Sequence, residues 1–184
     1  TEGLRIGRDG VVGAYNGAST TVVVPQYDSA DNMDYTSSAI KVKSFDANVF
    51  KGNTNIKTVV LPQYVSEIPD NAFEGCTNLT NIIIPDSVTL IEAGAFANCT
   101  SLTKIVIPKS VTSLGSGAFR DCTNIKKILI RNGNMSIDRD SFSGLTNAKI
   151  FIEIQKEFGS FSNYIWKFTN NKIIKNTSDE QFVS

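Results

Sequence analysis

The three cysteines of this chain are the residues best suited to nucleophilic or metal chemistry. Cys76, Cys99 and Cys122 lie 23 residues apart. A thiolate can act as a nucleophile or a zinc ligand, but the sequence has no histidine, the commonest partner for either role. The flanking copies of the same motif carry Asn53 and Leu145 at this place. We therefore predict an inward slot for a small apolar group, filled by buried, reduced thiols. A disulfide, a zinc site and a nucleophile are the alternatives.

Acidic residues are the second candidates for chemistry. Asp28, Asp31 and Asp34 lie three residues apart, and carboxylate oxygens are calcium ligands, but the spacing and the glycine of an EF-hand are absent. We interpret this segment as a solvated acidic loop. A glycosidase needs two carboxyl groups about 5–10 Å apart, whereas the acids of the repeated region fall at different places in each copy. We predict no metal, no cofactor and no enzymatic activity.

The charge balance argues against two other classes of protein. The 18 basic residues equal the 18 acidic residues, and no basic run forms the electrostatic footprint of a nucleic-acid-binding protein. No apolar stretch reaches the 18 residues that would indicate a membrane span. The remaining class is a globular or repetitive protein without nucleic-acid or membrane-spanning segments.

A fixed repeat determines how these residues must be positioned. Such a period is typical of leucine-rich solenoids, whose copies bury their apolar faces only by stacking on one another. The phenylalanines that mark the period, 23 residues apart, are Phe50, Phe73, Phe96, Phe119 and Phe142. Apolar residues follow each of the first four with an L-x-x-I-x-I spacing, which indicates a strand. We predict a mostly β, leucine-rich repeat solenoid with parallel strands near residues 57–61, 80–84, 103–107 and 126–130, joined by short turns or single helical turns.

The ends of the chain depart from the period, as the terminal copies of a solenoid do. We predict a single domain over residues 1–184. Residues 1–49 would form a hairpin cap (residues 4–17) and an irregular first repeat with a loop inserted at Asp28–Ala39; residues 50–146 would form the regular repeats; residues 147–184 would form a C-terminal cap and tail. The aromatic residues near Trp166 predict a plug over the last repeat, with a carbohydrate-stacking site as the alternative.

One face of the predicted strands carries a row of apolar residues, which we call the ridge. Side chains alternate across a strand, so these residues project outward while their neighbours enter the core. The ridge residues are Val23, Val60, Ile83, Val106, Leu129 and Phe151, and the lysines beside them, two residues earlier, are Lys104, Lys127 and Lys149. An exposed apolar row often marks an interaction surface, and we predict that the ridge and its lysines bind a partner. The alternative is that β-branched residues simply favour strands.

The repeat also resembles a known family. The string I-P-x-x-V-x-x-I/L-x-x-x-A-F-x-x-C-T-x-L-x-x-I-x-I-P is similar to the BspA-like leucine-rich repeats of bacterial and protozoan surface proteins. The start DGVVGAYNG…TVVVP and the end Ile152…Trp166…Ile174 resemble the usual first and last parts of such arrays. The outer copies differ at Asn53, Leu145 and Arg131, which replace cysteine, cysteine and proline.

The resemblance implies a location and a role. It implies a secreted or cell-surface protein that binds a host or bacterial surface protein without enzymatic activity, in adhesion or host interaction. The alternative is a structural spacer within a larger surface polypeptide. Periodicity alone would imply only a scaffold.

Overall fold

The computed structural model of the protein describes residues 3–28, 40–138, 140–155, 161–169 and 172–176. Residues 29–39 of the predicted inserted loop and the predicted tail after Asn176 lie outside the described residues. The strands are short, and turns join them; within the described ranges none of the connections is a helix. In chain order the strands are β1 (Leu4–Ile6), β2 (Val11–Tyr15), β3 (Thr21–Val23), β4 (Tyr27–Asp28), β5 (Ile40–Lys41), β6 (Ser44–Phe45), β7 (Thr58–Val60), β8 (Glu67–Ile68), β9 (Asn81–Ile83), β10 (Leu90–Ile91), β11 (Lys104–Ile107), β12 (Ser113–Leu114), β13 (Lys127–Ile130), β14 (Ser136–Ile137), β15 (Lys149–Gln155), β16 (Phe161–Thr169) and β17 (Lys172–Asn176).

The repeated region is a parallel β-solenoid with two walls. Strands β7, β9, β11 and β13 lie on the four segments that the sequence predicts, and the prediction of a leucine-rich solenoid is confirmed. One wall is the continuous parallel sheet β8–β10–β12–β14. The other wall contains β3–β7–β9 and β11–β13–β15. Partners within each wall from β7 to β14 are 23 residues apart, as Ile105 and Ile128 are.

A stack of phenylalanine rings runs along the core. Successive rings from Phe50 to Phe142 are stacked, with centroids 5.0, 5.2, 5.1 and 5.9 Å apart. All five side chains are fully buried. Because each ring also contacts the ring of the next turn, the stack contributes about 0.5–1.5 kcal/mol per pair beyond the burial of its area. The 23-residue period therefore becomes a continuous aromatic column.

The turns between strands depend on left-handed backbone positions that recur with the repeat. Asn48, Asn71, Gly94 and Gly117 all have φ between 55° and 64°. Glycine adopts this conformation without steric cost and asparagine tolerates it better than most residues. A Cβ added to Gly94 would also collide with the Asn71 side-chain oxygen. A second left-handed position recurs with the same period, and the turns are therefore encoded by residue type at two positions per copy: the residues at this second position are Gly52, Gly75, Asn98, Asp121 and Gly144.

Antiparallel pairs of strands occur at both ends of the solenoid. At the N-terminus β1 and β2 form an antiparallel hairpin, and β2 then pairs in parallel with β6. At the C-terminus β16 pairs antiparallel with β15, and β17 with β16. The side chains of the predicted aromatic plug lie outside the described residues.

Candidate interaction face

The ridge residues occupy one column of the solenoid in two parts. Val23 pairs with Val60, and Val60 with Ile83. Val106 pairs with Leu129, and Leu129 with Phe151. The lysines form a second column, in which Lys104 pairs with Lys127 and Lys127 with Lys149. The structure therefore brings the ridge residues together in two groups of three, each in register within its own sheet.

Only part of the ridge is exposed. The exposed fractions are 50% for Val23, 43% for Val60, 69% for Ile83 and 37% for Val106. Leu129 and Phe151 are buried, with 5% and 3% exposed, and form a small apolar cluster of their own. The prediction that all six residues are exposed is wrong for these two. For Leu129 the physical reason is that Phe151 lies directly beside it in the paired strand and packs against it.

The wall that carries the ridge is interrupted between β9 and β11. These two strands are not hydrogen bonded to each other. Nearly every distance from a Cα atom of β9 to a Cα atom of β11 exceeds 8 Å. The Thr80 hydroxyl donates to the Lys57 carbonyl at 3.1 Å, whereas Thr103, one copy later, makes no such bond to Thr80. The prediction that the ridge forms one unbroken row is therefore wrong at this junction.

A groove lies at the interruption. Its volume is about 510 Å³. Side chains from both strands and from the segments that follow them form its lining: Asn81, Ile82, Ile83, Ile84, Pro85, Asp86, Lys104, Ile105, Val106, Pro108 and Arg131. Asp86 and Arg131 are residues of this face that the sequence pattern did not predict. The available signal was Arg131, which stands where the central copies have proline.

Of the predicted lysines, Lys104 lies on the strand of the exposed Val106, whereas Lys127 and Lys149 lie on the strands of the buried Leu129 and Phe151. Lys104 and Lys127 are exposed and Lys149 is half-buried. Arg131 lies at the groove and approaches Glu153, with Nε 4.0 Å from Oε1. Exposed charges of this kind steer an acidic partner and make its binding sensitive to salt, while contributing little affinity by themselves.

The cysteines lie in the core, away from this face. All three are free and buried, as predicted. Each thiol donates to a carbonyl of the preceding turn: Cys76 to Phe50 at 3.1 Å, Cys99 to Phe73 at 3.2 Å, and Cys122 to Phe96 at 2.9 Å.

Burial makes the thiols unreactive. It raises the pKa of Cys76 to about 12, against a smaller opposing effect of the Asn53 backbone. Contact with the Cys122 thiol, together with burial, raises the pKa of Cys99. A nucleophilic cysteine needs a lowered pKa and access to solvent, so the structure places these thiols among packing groups.

The opposite wall carries a small group of acids. Partial burial, and the negative charges of Asp70 and Glu67, raise the pKa of Glu92. Asp70 accepts a hydrogen bond from the Ala93 amide at 3.0 Å, which fixes its carboxylate beside the next turn. Among the described residues, no group of three or more His, Cys, Asp or Glu side chains is arranged to hold a metal ion. We find no described helix that is long and apolar enough to cross a bilayer.

The parallel solenoid and its 23-residue copies define a leucine-rich repeat protein. The chain belongs to the BspA-type leucine-rich repeat family, whose model matches residues 43–174 in six copies. The resemblance drawn from the sequence is therefore confirmed. No curated protein matches the sequence significantly.

Solved structures share this architecture. A leucine-rich repeat protein of T. pallidum (TpLRR) is 27% identical with a TM-score of 0.66; the match covers 78% of this chain and 65% of that one. A leucine-rich repeat protein from Bacteroides capillosus is 24% identical with a TM-score of 0.56, covering 70% of this chain and 92% of that one. The pneumococcal vaccine antigen PcpA is 18% identical with a TM-score of 0.64, covering 87% of this chain and 37% of that one. The chain thus spans slightly less than two thirds of the T. pallidum protein, and the latter two likenesses concern the fold alone.

Proposed function

We propose that this chain is a protein-binding module of a secreted or cell-surface protein, and that it contacts a host or bacterial surface protein in adhesion. The observation that carries the proposal is the exposed part of the ridge. Val23, Val60 and Ile83 stand in register on β3, β7 and β9, Val106 lies across the interruption on the same wall, and Ile83 is more than two thirds exposed. Membership of the BspA-type family supports the location and the absence of catalysis.

The energetics of the face suit a protein partner. The exposed ridge follows the solenoid axis over four turns, so an elongated protein surface covers it better than a small molecule does. Burying its apolar side chains supplies about 25 cal/mol per Å² removed from water. Lys104, on the strand of Val106, favours a partner with an acidic group at that end of the exposed ridge.

The test is capture of purified matrix proteins and bacterial surface proteins on an array, with wild type compared with the double variant Ile83→Asp/Val106→Asp. Both side chains already face solvent, so the variant is expected to fold, which circular dichroism checks. We expect binding to fall at least tenfold and the remaining binding to be more sensitive to salt.

A matched control adds the same two negative charges away from the ridge. Gln63→Asp/Ser66→Asp changes two exposed residues between β7 and β8, and it is expected to bind like wild type. Undiminished binding by the folded ridge variant would place the contact surface elsewhere. Absence of binding to every member of the array would favour the structural spacer.

A further inference from the structure

Two strand edges face each other across the groove without a partner. Within a strand, the N–H and C=O of one residue point to the same neighbour, and successive residues alternate. The Asn81 amide donates to Lys57 in the preceding turn, so residues 81 and 83 face β7. The Ile107 carbonyl accepts from Arg131, so residues 105 and 107 face β13. The backbone groups of Ile82, Lys104 and Val106 therefore point into the groove.

The rest of the junction is closed. The rings of Phe73 and Phe96 are stacked at 5.2 Å, and β10 pairs with both β8 and β12. Before the groove, the Ser101 amide donates to Thr77 at 3.1 Å; after it, the Thr112 amide donates to Thr89 at 2.8 Å. The opening is therefore a slot between residues 80–85 and 103–108, bounded at both ends by normal contacts between turns.

Unpaired strand edges are a template for another strand. An added segment of four residues spans about 13 Å, which matches the length of β11. Its main chain would supply hydrogen-bond partners to both edges at once. An open strand edge elsewhere on the solenoid could pair with only one side of the added segment.

We propose that the slot between β9 and β11 binds an extended peptide segment with an acidic residue, which joins the wall as an added strand. The inference rests on the proposed protein-binding function and specifies the partner at that face. The acidic residue would lie beside Lys104, in the outward column that contains Asn81. The outward residue two positions away would be apolar and would join Ile83 and Val106 in the ridge.

The floor of the slot limits the inward side chains of the peptide. Ile82, Ile84 and Ile105 form this floor, with 8%, 6% and 3% exposed. Because these residues already fill the core, a peptide residue that points inward has space only for a small side chain such as alanine or serine. The expected pattern alternates outward apolar or acidic residues with inward small residues.

The probe is a fluorescein-labelled peptide whose central residues are Val-Ala-Asp-Ala-Val. This order places an acid two residues from an apolar side chain in either chain direction, so the peptide fits the slot parallel or antiparallel to β9 and β11. Binding is measured by fluorescence anisotropy at low ionic strength. A comparison peptide carries N-methyl groups on both alanines, which removes two main-chain donors that point to one neighbouring strand and leaves every side chain in place. We expect it to bind about tenfold more weakly or worse.

The protein side of the same hydrogen bonds is tested at Val106. Val106→Pro removes the N–H that faces the slot, which has no partner in the free protein, so folding is expected to persist. Val106→Ala is the matched control, because it shortens the same side chain and keeps the donor. We expect Val106→Pro to bind the peptide several-fold more weakly than Val106→Ala does.

Equal binding of the plain and N-methylated peptides would overturn the proposal, as would absence of peptide binding. If Val106→Pro does not fold, the comparison of the two peptides on wild type decides the question. The ridge is tested separately by the array with Ile83→Asp/Val106→Asp. Weaker array binding by the ridge variant, with equal binding of the two peptides, would retain the protein-binding face and reject the slot. Weaker binding of the N-methylated peptide, with unchanged array binding by the ridge variant, would retain the slot and place the contacts with the array proteins away from Ile83 and Val106.

Discussion

The rings of Phe73 and Phe96 lie 5.2 Å apart and 3° from parallel, although the strands that follow them, β9 and β11, are not paired. The two turns are therefore held together by the aromatic column, by β10 and by backbone bonds of the connecting turns. The Phe73 amide, for example, donates to Ala95 at 2.8 Å. Because these contacts remain intact, the ridge wall can open at this junction without opening the core.

The first prediction concerns the aromatic column. Phe96→Ala is expected to lower the free energy of unfolding by about 3–5 kcal/mol, the usual effect of removing a fully buried phenylalanine. Phe96 is at the centre of the stack and contacts a ring on each side. Urea unfolding followed by circular dichroism measures the change. An unfolding midpoint equal to that of wild type would contradict the structural role of the column.

The second prediction concerns the thiols. Since burial raises the pKa of Cys76 to about 12, almost none of this group is thiolate at pH 7–9, and the thiol is inaccessible. A thiolate-selective disulfide reagent is expected to label the native protein slowly at pH 8, and to label all three cysteines at once in denaturant. Mass spectrometry counts the labels. Rapid labelling of Cys76, Cys99 and Cys122 in the native state would show that they are not buried.

The third prediction follows from the raised pKa of Glu92. Because the folded pKa lies above the ordinary value of 4.5, the folded state holds the proton more tightly than the unfolded state does. The free energy of unfolding therefore falls as the pH rises from about 4.5 through the folded pKa. At neutral pH Glu92 is ionised in both states, and the whole destabilising contribution of its carboxylate is present. Glu92→Gln is expected to melt at a higher temperature than wild type at pH 7, and the difference should shrink below pH 4.5.

The control for this pH dependence is Glu74→Gln. Glu74 pairs with Lys51 at 2.8 Å, so its carboxylate has a favourable partner. Its removal is expected to leave the melting temperature equal or slightly lower at pH 7. A Glu92→Gln melting temperature that does not exceed that of wild type at pH 7 would show that burial and the charges of Asp70 and Glu67 do not measurably disfavour the Glu92 carboxylate.

Local patterns in the sequence were sufficient for the fold but not for the exposure of the face. Phe50 to Phe142 and the alternation in strands such as β11 predict the coil, because every copy repeats the same burial pattern. The same alternation places Leu129 and Phe151 on the ridge correctly. It contains no information about how much of the sheet face a neighbouring ring covers, and so it predicts exposure that the structure does not have.

The interruption of the sheet escaped prediction for a different reason. Residues 80–85 and 103–108 match the repeat as well as their paired neighbours do, so the strand signal itself is unchanged. The difference is in the turn before the strand. Asn78 and Asn124 donate to carbonyls of the preceding turn, at 2.7 Å each, whereas the intervening copy has Ser101. Contacts of this kind between successive turns favour pairing of the strands that follow. They are not required, because β13 and β15 pair although Asn147 makes no such bond. The pairing of two strands is therefore not encoded by any single residue.

The fourth prediction tests these asparagine bonds. Asn124→Ser removes the donor to Thr100 and is expected to cost about 0.5–1.5 kcal/mol of stability, the net value of one such bond. Ser101→Asn supplies an amide that can reach Thr77 and is expected to stabilise by up to the same amount. Urea unfolding of the two variants and of wild type gives the comparison. If both variants shift the midpoint in the same direction, the bond is not what distinguishes this junction.

The fifth prediction separates the exposed from the covered part of the ridge. Ile83 and Leu129 occupy the same column, but 69% of Ile83 is exposed and only 5% of Leu129. Ile83→Asp places a charge where water already surrounds the side chain, and surface substitutions of this kind usually change stability by no more than about 0.5 kcal/mol.

Leu129→Asp instead places a charge against the Phe151 ring. The carboxylate loses its hydration without gaining a partner, and the apolar cluster loses a member, so a cost of several kcal/mol is expected. Thermal unfolding of the two single variants at pH 7 tests this difference. Two equally small changes in melting temperature would mean that Leu129 is solvated. Leu129 and Phe151 would then count as part of the apolar surface that a partner can contact. A large shift for Leu129→Asp alone would limit the apolar binding surface to the turns from Val23 to Val106, where the slot between β9 and β11 also lies.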